Sequence, residues 1–455
     1  MFKQPLLNGN TAGFPHPSPS DQVTPYPEGD EERLSTELPL DEFEKPLLPS
    51  TWRLWRKWRP ISPRHLFWLM VPSFVARAFG HASEDSAIPA PNATSYLNGL
   101  RGIASLIVAL QETIDGDVSN EERSVLAKLT DNDVLQYGFI IHHAWGEGND
   151  NRYLVQLPFI RLFHSGVFMV SVFFVISGFA LTYGPLKKSH AARAHAGQVD
   201  AAIKSFPSSI FRRPFRLFLP TVPIIAVSTA LVPFGAFYAL NSTEPMPPVA
   251  QGFCGHIHYI WTTLLMVITS GSTNTVMPQG WTLAAEYEGS LLVFLSCLAF
   301  ISMSPMVRMP STFLILVWFF NLRRPNSCLF LAGMLIADFR HTRGKIPSLS
   351  KTARKAITFT SWMLLVPVIF LGCWPMHGDA FAAPGYSWFR GVNTFGFETQ
   401  RFFQGCCAVT LVLVLENLPV LQRLLNTKPV LYLGEISYSL YLMHWVSDYW
   451  KLGIA

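Results

Sequence analysis

The stretch LPFIRLFHSGVFMVSVFFVISGFALTY, residues 157–183, decides the fold class, because Arg161 is its only residue that carries a full charge at neutral pH. A helix needs about 20 consecutive apolar residues to cross a bilayer core of about 30 Å. The stretch is long enough, and Lys187 and Lys188 follow it closely. Basic residues remain on the cytosolic side of membranes. The stretch therefore predicts a transmembrane helix whose C-terminal end faces the cytosol.

Similar apolar runs recur along the chain. The longer ones are residues 217–240, 259–276, 281–304, 356–375, 402–420 and 429–447, and shorter ones are 102–110, 312–320 and 328–337. Their apolar pattern is helical rather than alternating, which argues against a β-barrel. We therefore predict an all-α, polytopic transmembrane helix bundle with about eight to ten spans, embedded in a lipid bilayer.

The composition agrees with a membrane protein. Hydrophobic residues make up 49% of the 455 residues and charged residues only 14%, whereas soluble domains have about 25% charged residues. The net charge of +5 is small, and the basic residues cluster at the ends of apolar runs, which indicates membrane topology rather than nucleic-acid binding. The six cysteines form no CxxC pair, so neither a metal site nor a disulfide framework is expected.

The N-terminal region has a different character. Residues 1–50 are rich in Pro, Ser, Asp and Glu, a composition typical of disorder. Residues 52–59 (WRLWRKWR) alternate aromatic and basic side chains, as do segments at an anionic membrane surface. A plain juxtamembrane charge cluster is the alternative. Both interpretations make residues 1–60 a cytosolic tail, and no feature decides between the endoplasmic reticulum and the plasma membrane.

Polar residues inside the apolar runs are the most informative for function. A charged side chain at the centre of a lipid-embedded helix costs about 2.5–3.5 kcal/mol on insertion scales, so such residues usually face the bundle interior and act there. The polar motifs are residues 97–104 (LNGLRGIA), 173–179 (FFVISGF), 211–220 (FRRPFRLFLP), 279–286 (QGWTLAAE) and 433–444 (LGEISYSLYLMH). We expect their polar groups to converge on a shared pocket.

Each motif also has a purely structural interpretation. Arg101 is equally well explained as an interfacial arginine that reaches lipid phosphates. Ser177 and Gly178 alone would be read as a tight helix contact. The arginines of residues 211–220 alone would be read as ordinary retention of positive charge on the cytosolic side. Only the combination favours a catalytic or binding role.

In this order and spacing the five motifs resemble the acyltransferase 3 family, the membrane-bound acyltransferases that include bacterial O-antigen acetylases. The resemblance covers about residues 96–450, within a domain that we place at 92–450, and residues 286–290 (EYEGS) look like the fungal branch. It implies a bundle of about ten helices. It also implies transfer of an acyl group, often acetyl, from an acyl-CoA co-substrate to a hydroxyl of a sugar, lipid or secondary metabolite.

The sequence departs from the family at one position. The resemblance implies a histidine eleven residues after Arg101, where this chain has Glu112 at the start of an atypical acidic stretch, residues 111–140. Three explanations are open: a retained or mispredicted segment of the gene, a takeover of the role by His142 or His143, and a catalytically inactive relative. Family members also usually continue further beyond the last motif, so a shortened C-terminus is a further expectation.

Transfer to a hydroxyl requires a general base and a positive group near the developing oxyanion. With the resemblance, this assigns the catalytic candidates: Arg101 for the donor phosphates or the developing charge, His142 or His143 as base, and Glu286 and His444 to orient the acceptor or base.

Arg212, Arg213 and Arg216 are the predicted donor-binding residues, because guanidinium groups suit the phosphates of a nucleotide-like donor. No bound cofactor is expected. The partners are acyl-CoA and a hydroxyl-bearing small molecule or glycan. A membrane transporter is the competing class, since intramembrane Arg, Glu and His also occur in proton-coupled carriers.

Overall fold

The computed structural model describes residues 92–115, 144–146, 152–192, 198–234, 252–269, 277, 279–343, 350–376 and 379–452. The predicted tail of residues 1–60, most of the acidic stretch 111–140, and both His142 and His143 lie outside these ranges. All described residues fall within one compact unit, Ile88–Ala455.

The described part of the chain contains α-helices and short 3₁₀-helices and no strand, which confirms the all-α prediction. The α-helices are α1 (Ser95–Asp115), α2 (Gly166–Ala192), α3 (Gln198–Phe218), α4 (Thr221–Leu231), α5 (Gly252–Thr269), α6 (Gly280–Phe300), α7 (Pro305–Asn321), α8 (Pro325–Arg343), α9 (Lys351–Gly372), α10 (Thr399–Leu415), α11 (Pro419–Leu425) and α12 (Lys428–Leu452).

Several helices are suited to a bilayer. In the described ranges four segments are long and apolar enough to cross it, namely Gly166–Ala191, Phe206–Leu231, Gly280–Phe300 and Lys351–Gly372. Helices α10 and α11 form a fifth if they count as one span, although they are bent by 99°. The total of eight to ten spans stays a prediction.

Two helix boundaries differ from the sequence prediction. Helix α2 begins at Gly166 rather than Leu157, because residues 157–165 are held in a different geometry. There the buried Arg161 donates from Nε to the carbonyl oxygen of Gln156, 3.3 Å away. Helix α1 continues to Asp115, past the polar pair at 111–112 where the apolar run stops. Hydropathy alone therefore misplaces both ends.

The two short runs at 312–320 and 328–337 form a helical hairpin. Pro305 occupies the first turn of α7, where its missing N–H is not needed. Arg323 adopts a φ of 55° and separates α7 from α8, a left-handed conformation that commonly ends helices. The hairpin is held by Arg308, fully buried in α7, which donates to both carboxylate oxygens of Asp338 in α8 at 2.7 and 2.6 Å.

Glycines set the closest helix approaches. A Cβ atom on Gly178 would overlap the carbonyl oxygen of Phe330, and one on Gly333 would overlap that of Val175, so α2 and α8 touch backbone to backbone. Helices α1 and α12 meet in the same way, because a Cβ on Gly102 would overlap the backbone nitrogen of Gly434. Small residues at such crossings are typical of helices packed in lipid.

The α2–α8 contact gives a testable expectation. Gly178→Ala should destabilise the protein by ~1–3 kcal/mol, because the added methyl must push α8 away. Gly184→Ala, in the same helix, is the matched control, since nothing lies within 4 Å of its added Cβ. Thermal unfolding of the purified variants in one detergent measures the difference. Equal melting temperatures for the two variants would contradict this packing.

Candidate active site

A cavity of about 370 Å³ lies between α1, α2, α3, α6 and α12, and each of the five polar motifs contributes to its wall. The polar lining residues are Arg101, Ser177, Arg213, Arg216, Thr282, Glu286, Glu435, Ser437, Tyr438 and Tyr441. We call this space the arginine cavity. Motifs separated by more than 300 residues thus meet in one place.

Arg101 lies at the junction of α1 and α12. Its Nε donates to the hydroxyl oxygen of Ser437 at 3.1 Å, and that hydroxyl donates to the carbonyl oxygen of Gly434 at 2.7 Å. The contact depends on the backbone approach at Gly102 and Gly434, which leaves no space for larger side chains. One edge of the guanidinium is thereby held by the protein, and Arg101 lines the arginine cavity.

An ion pair joins α3 to α6 across the same cavity. Arg213 bonds through Nη2 to the carboxylate of Glu286 and through Nε to the hydroxyl of Ser290, the latter at 3.0 Å. The two charged side chains are 22% and 16% exposed, so the pair is largely shielded from solvent. Glu435, which also lines the cavity, accepts from the side-chain amide of Asn98 at 3.1 Å.

The three predicted donor-binding arginines have different environments in the structure. Arg213 and the exposed Arg216 line the arginine cavity, whereas Arg212 does not. Arg212 is exposed and donates from Nε to the carbonyl oxygen of Ser208 in its own helix. Consecutive residues of an α-helix point about 100° apart, so Arg212 and Arg213 lie on different faces of α3. With Arg101 included, three arginines face two glutamates, and the described lining carries a net charge of +1.

His444 lines a second cavity, of about 570 Å³, further along the same helices. We call it the histidine cavity. Its polar lining residues are Gln111, Ser171, Gln279, Asn326, Arg401, Tyr441 and His444. Arg101 and Glu286 thus share one cavity, while His444 belongs to the next.

Tyr441 belongs to both linings and forms part of the wall between them. Its hydroxyl lies 2.5 Å from that of Thr282 and donates to the carbonyl oxygen of Gln279 at 3.4 Å. Thr282, Gln279 and Tyr441 are not among the catalytic or donor-binding residues that the sequence predicts. All three lie within the polar motifs, but an uncharged polar residue in an apolar helix does not by itself indicate a functional site.

Among the described residues, no group of three or more His, Cys, Asp and Glu side chains is arranged to hold a metal ion. Glu112 is in α1, next to Gln111 of the histidine cavity. His142 and His143 stay predictions.

Comparison with known families identifies the family of this chain. The model of the acyltransferase 3 family, described as an acyltransferase domain, matches residues 138–450. The chain belongs to this family. The match begins after α1, yet α1 packs against α2 and α12 of the matched domain and supplies Arg101 to the arginine cavity.

Individual relatives are fungal proteins. The chain is 31% identical to O-acetyltransferase PaAT-1 of Phomopsis amygdali over 78% of this chain and 72% of that protein. It is 23% identical to acyltransferase clz18 of Cochliobolus lunatus, over 78% of this chain and 83% of the relative. It is 22% identical to acyltransferase R4 of a Phoma species, over 78% and 82%. No solved structure matches the chain.

The protein is therefore an acyltransferase that moves groups other than amino-acyl groups, and an integral membrane protein. Membership of the acyltransferase 3 family favours the enzyme over the transporter that the sequence left open. The five polar motifs that carry the resemblance supply the walls of the arginine cavity, so the resemblance and the geometry indicate the same region.

The ion pair of the arginine cavity can be measured by a double-mutant cycle. Arg213→Met and Glu286→Gln should show a coupling free energy of ~1–3 kcal/mol in thermal unfolding, because each single change leaves a shielded charge unpaired. The exposed pair Arg390–Asp379, with side chains 64% and 54% exposed, is the control and should couple by less than ~1 kcal/mol. Similar coupling in both cycles would contradict a shielded pair in the arginine cavity.

Proposed function

We propose that the protein transfers an acyl group, in the first instance acetyl, from acyl-CoA to a hydroxyl group of a small molecule or glycan. The observation that carries this proposal is the meeting of Arg101, Arg213 and Arg216 in one cavity between apolar helices. Coenzyme A is a polyanion, and guanidinium groups bind phosphate through paired hydrogen bonds. The arginine cavity is then the donor site.

The three arginines would have different tasks. Arg213 is already paired with Glu286, so it shapes the cavity more than it binds phosphate. Arg216 is exposed and suits the phosphates at the mouth. Arg101 is held by Ser437 deeper among the helices and suits the thioester carbonyl, where negative charge develops during attack.

The distribution of basic residues supports a cytosolic donor site. Lys187 and Lys188 lie at the end of α2, and Arg212, Arg213 and Arg216 lie in the helix that follows. By the positive-inside rule this end of the bundle would face the cytosol, where acyl-CoA is available. A cytosolic N-terminus fits the same topology, and both the endoplasmic reticulum and the plasma membrane would satisfy it.

The acceptor is proposed to react through oxygen. One relative is named an O-acetyltransferase, and a hydroxyl needs a base that removes its proton. His142, His143 and His444 are the candidate bases. Glu112 stands where the family resemblance implies a histidine. The second candidate is therefore a relative of these enzymes that has lost catalytic activity. Transfer of radiolabelled acetyl from acetyl-CoA to an added alcohol by the purified chain decides between the two.

The donor site gives a paired prediction. Arg216→Ala should raise the KM for acetyl-CoA by ~3–10-fold, because a phosphate contact is lost, while Arg212→Ala should leave it within twofold. The two residues lie in one helix and differ in whether they line the arginine cavity, so initial rates against acetyl-CoA concentration test the geometry. A larger effect at Arg212 would reject this donor site.

The first two base candidates are tested separately. His142→Ala and His143→Ala are assayed at saturating acetyl-CoA; a general base at either position predicts that its variant loses ~100-fold or more in kcat. Full activity in both variants would remove them from the mechanism.

A further inference from the structure

We propose that the histidine cavity is the acceptor site, that it takes a neutral and mainly apolar alcohol, and that His444 is the general base. The inference rests on the proposed function, since it needs an acyl donor in the arginine cavity. The acceptor is then a mainly apolar alcohol rather than any hydroxyl compound, and the base is His444 of α12.

The two cavities follow one another along the same helices. On α1 the lining residues are Arg101 for the arginine cavity and Val108 and Gln111 for the histidine cavity. A separation of seven to ten residues corresponds to roughly 10–15 Å along a helix axis. On α12, Ser437 lines the first cavity, Tyr441 lines both, and His444 lines the second. Donor and acceptor would therefore meet at the wall that contains Tyr441.

The lining of the histidine cavity defines the acceptor class. Arg401 is its one charged lining residue in the described part of the chain, and Arg401 is paired with Glu398 at 3.0 Å, with both side chains exposed. No lining carboxylate is present there to attract a cation, and no unpaired arginine to attract an anion.

The remaining wall is largely apolar. Its apolar lining residues are Val108, Val167, Val170, Phe174, Trp281, Pro325, Leu329 and Met376. A volume of about 570 Å³ with such a lining lies within the range of sites for drug-sized molecules, roughly 300–1,000 Å³. It suits a mainly apolar alcohol better than a sugar, each of whose hydroxyls would need a polar partner.

Gln279 offers a hydrogen-bond acceptor in this lining. Its side chain is 7% exposed, and its amide nitrogen donates to the carbonyl oxygen of Leu442 at 3.1 Å. Its Oε1 has no hydrogen-bond partner among the described residues. Buried carbonyl oxygens rarely remain without a donor, so a hydroxyl of a bound alcohol, or a water beside it, would complete the site.

The ring of His444 is oriented for a base. Its Nδ1 lies 2.6 Å from the carbonyl oxygen of Tyr441. A carbonyl oxygen only accepts hydrogen bonds, so Nδ1 must carry the hydrogen. In the neutral ring the lone pair then belongs to Nε2. The carbonyl thus selects the tautomer of the ring that can remove a proton through Nε2, as an orienting group does in catalytic triads.

The reaction balances with these groups. The acceptor oxygen attacks the thioester carbonyl carbon and forms the new C–O bond while His444 Nε2 takes the hydroxyl proton. The C–S bond then breaks, coenzyme A leaves as a thiolate, and the protonated histidine returns the proton to sulfur. An ester and free coenzyme A are the products, and no further reactant is needed.

The test uses the purified full chain in lipid nanodiscs with radiolabelled acetyl-CoA. The probes are 1,10-decanediol, 10-hydroxydecanoate, which matches it in length but carries a charge, and glucose. Acetylation of the diol should exceed that of the other two by at least tenfold in kcat/KM.

Two variants test the cavity and the base. Asn326→Phe should raise the KM for the diol at least tenfold and leave the KM for acetyl-CoA within twofold, and Asn321→Phe, outside both linings, is the control. His444→Gln should lower kcat by ~100-fold, change both KM values little, and remove the loss of rate at acidic pH that protonation of the base causes. Unfolding temperatures identify variants that misfold.

The outcomes separate the two proposals. Wild-type protein that neither binds nor consumes acetyl-CoA would refute the proposed function. Four results would overturn this inference and leave the donor site standing. Two concern the wild type: binding of acetyl-CoA without transfer to the diol, and equal transfer to glucose or 10-hydroxydecanoate. Two concern the variants: an unchanged diol KM in Asn326→Phe, and an unchanged kcat in His444→Gln.

Discussion

Backbone contact between helices is the constraint on which the site depends. In lipid there is little hydrophobic drive to bring helices together, so association relies on close van der Waals packing and on polar contacts. Gly102 and Gly434 let α1 and α12 touch, and this contact brings Arg101 within hydrogen-bonding distance of Ser437. Gly178 and Gly333 do the same for α2 and α8. The glycines of the motifs therefore position the polar residues beside them.

Buried charge has two separate uses in this bundle. Arg308 and Asp338 form a bidentate pair that joins α7 to α8, and neither residue lines the arginine cavity or the histidine cavity. Arg213 and Glu286 also pair, but they do so on the wall of the arginine cavity. A charge inside an apolar helix is thus evidence of a partner, and only the cavity beside it indicates chemistry.

Much of the site could be predicted from the sequence, because the cost of burying polar groups forces them to converge. Arg101, Glu286 and His444 were expected to share one pocket, and the first two line the arginine cavity. The separation of His444 into a second cavity was not predictable, since it depends on where Tyr441 crosses the bundle. The different environments of Arg212 and Arg213 depend on the rotation of α3 about its axis, which a cluster of basic residues does not specify.

The helix boundaries show the same limit. The apolar run from residue 157 reads as a uniform span, yet Arg161 lies in a 3₁₀ turn and donates to a backbone carbonyl, and the helix starts only at Gly166. Hydropathy records how apolar a segment is, whereas the start of a helix depends on individual hydrogen bonds. Hydropathy also fails in the other direction at residues 305–343. Two short apolar runs that look too irregular for helices in the sequence form the hairpin of α7 and α8.

Photo-crosslinking with a light-activated acetyl-CoA analogue, followed by mass spectrometry of the labelled peptides, tests the central claim most directly. If the polar motifs form the donor site, the label will attach to peptides of α2, α6 and α12 that contain residues 170–177, 282–286 and 435–441, and excess acetyl-CoA will suppress it. Labelling confined to peptides outside the arginine cavity, with these three unlabelled, would contradict the account.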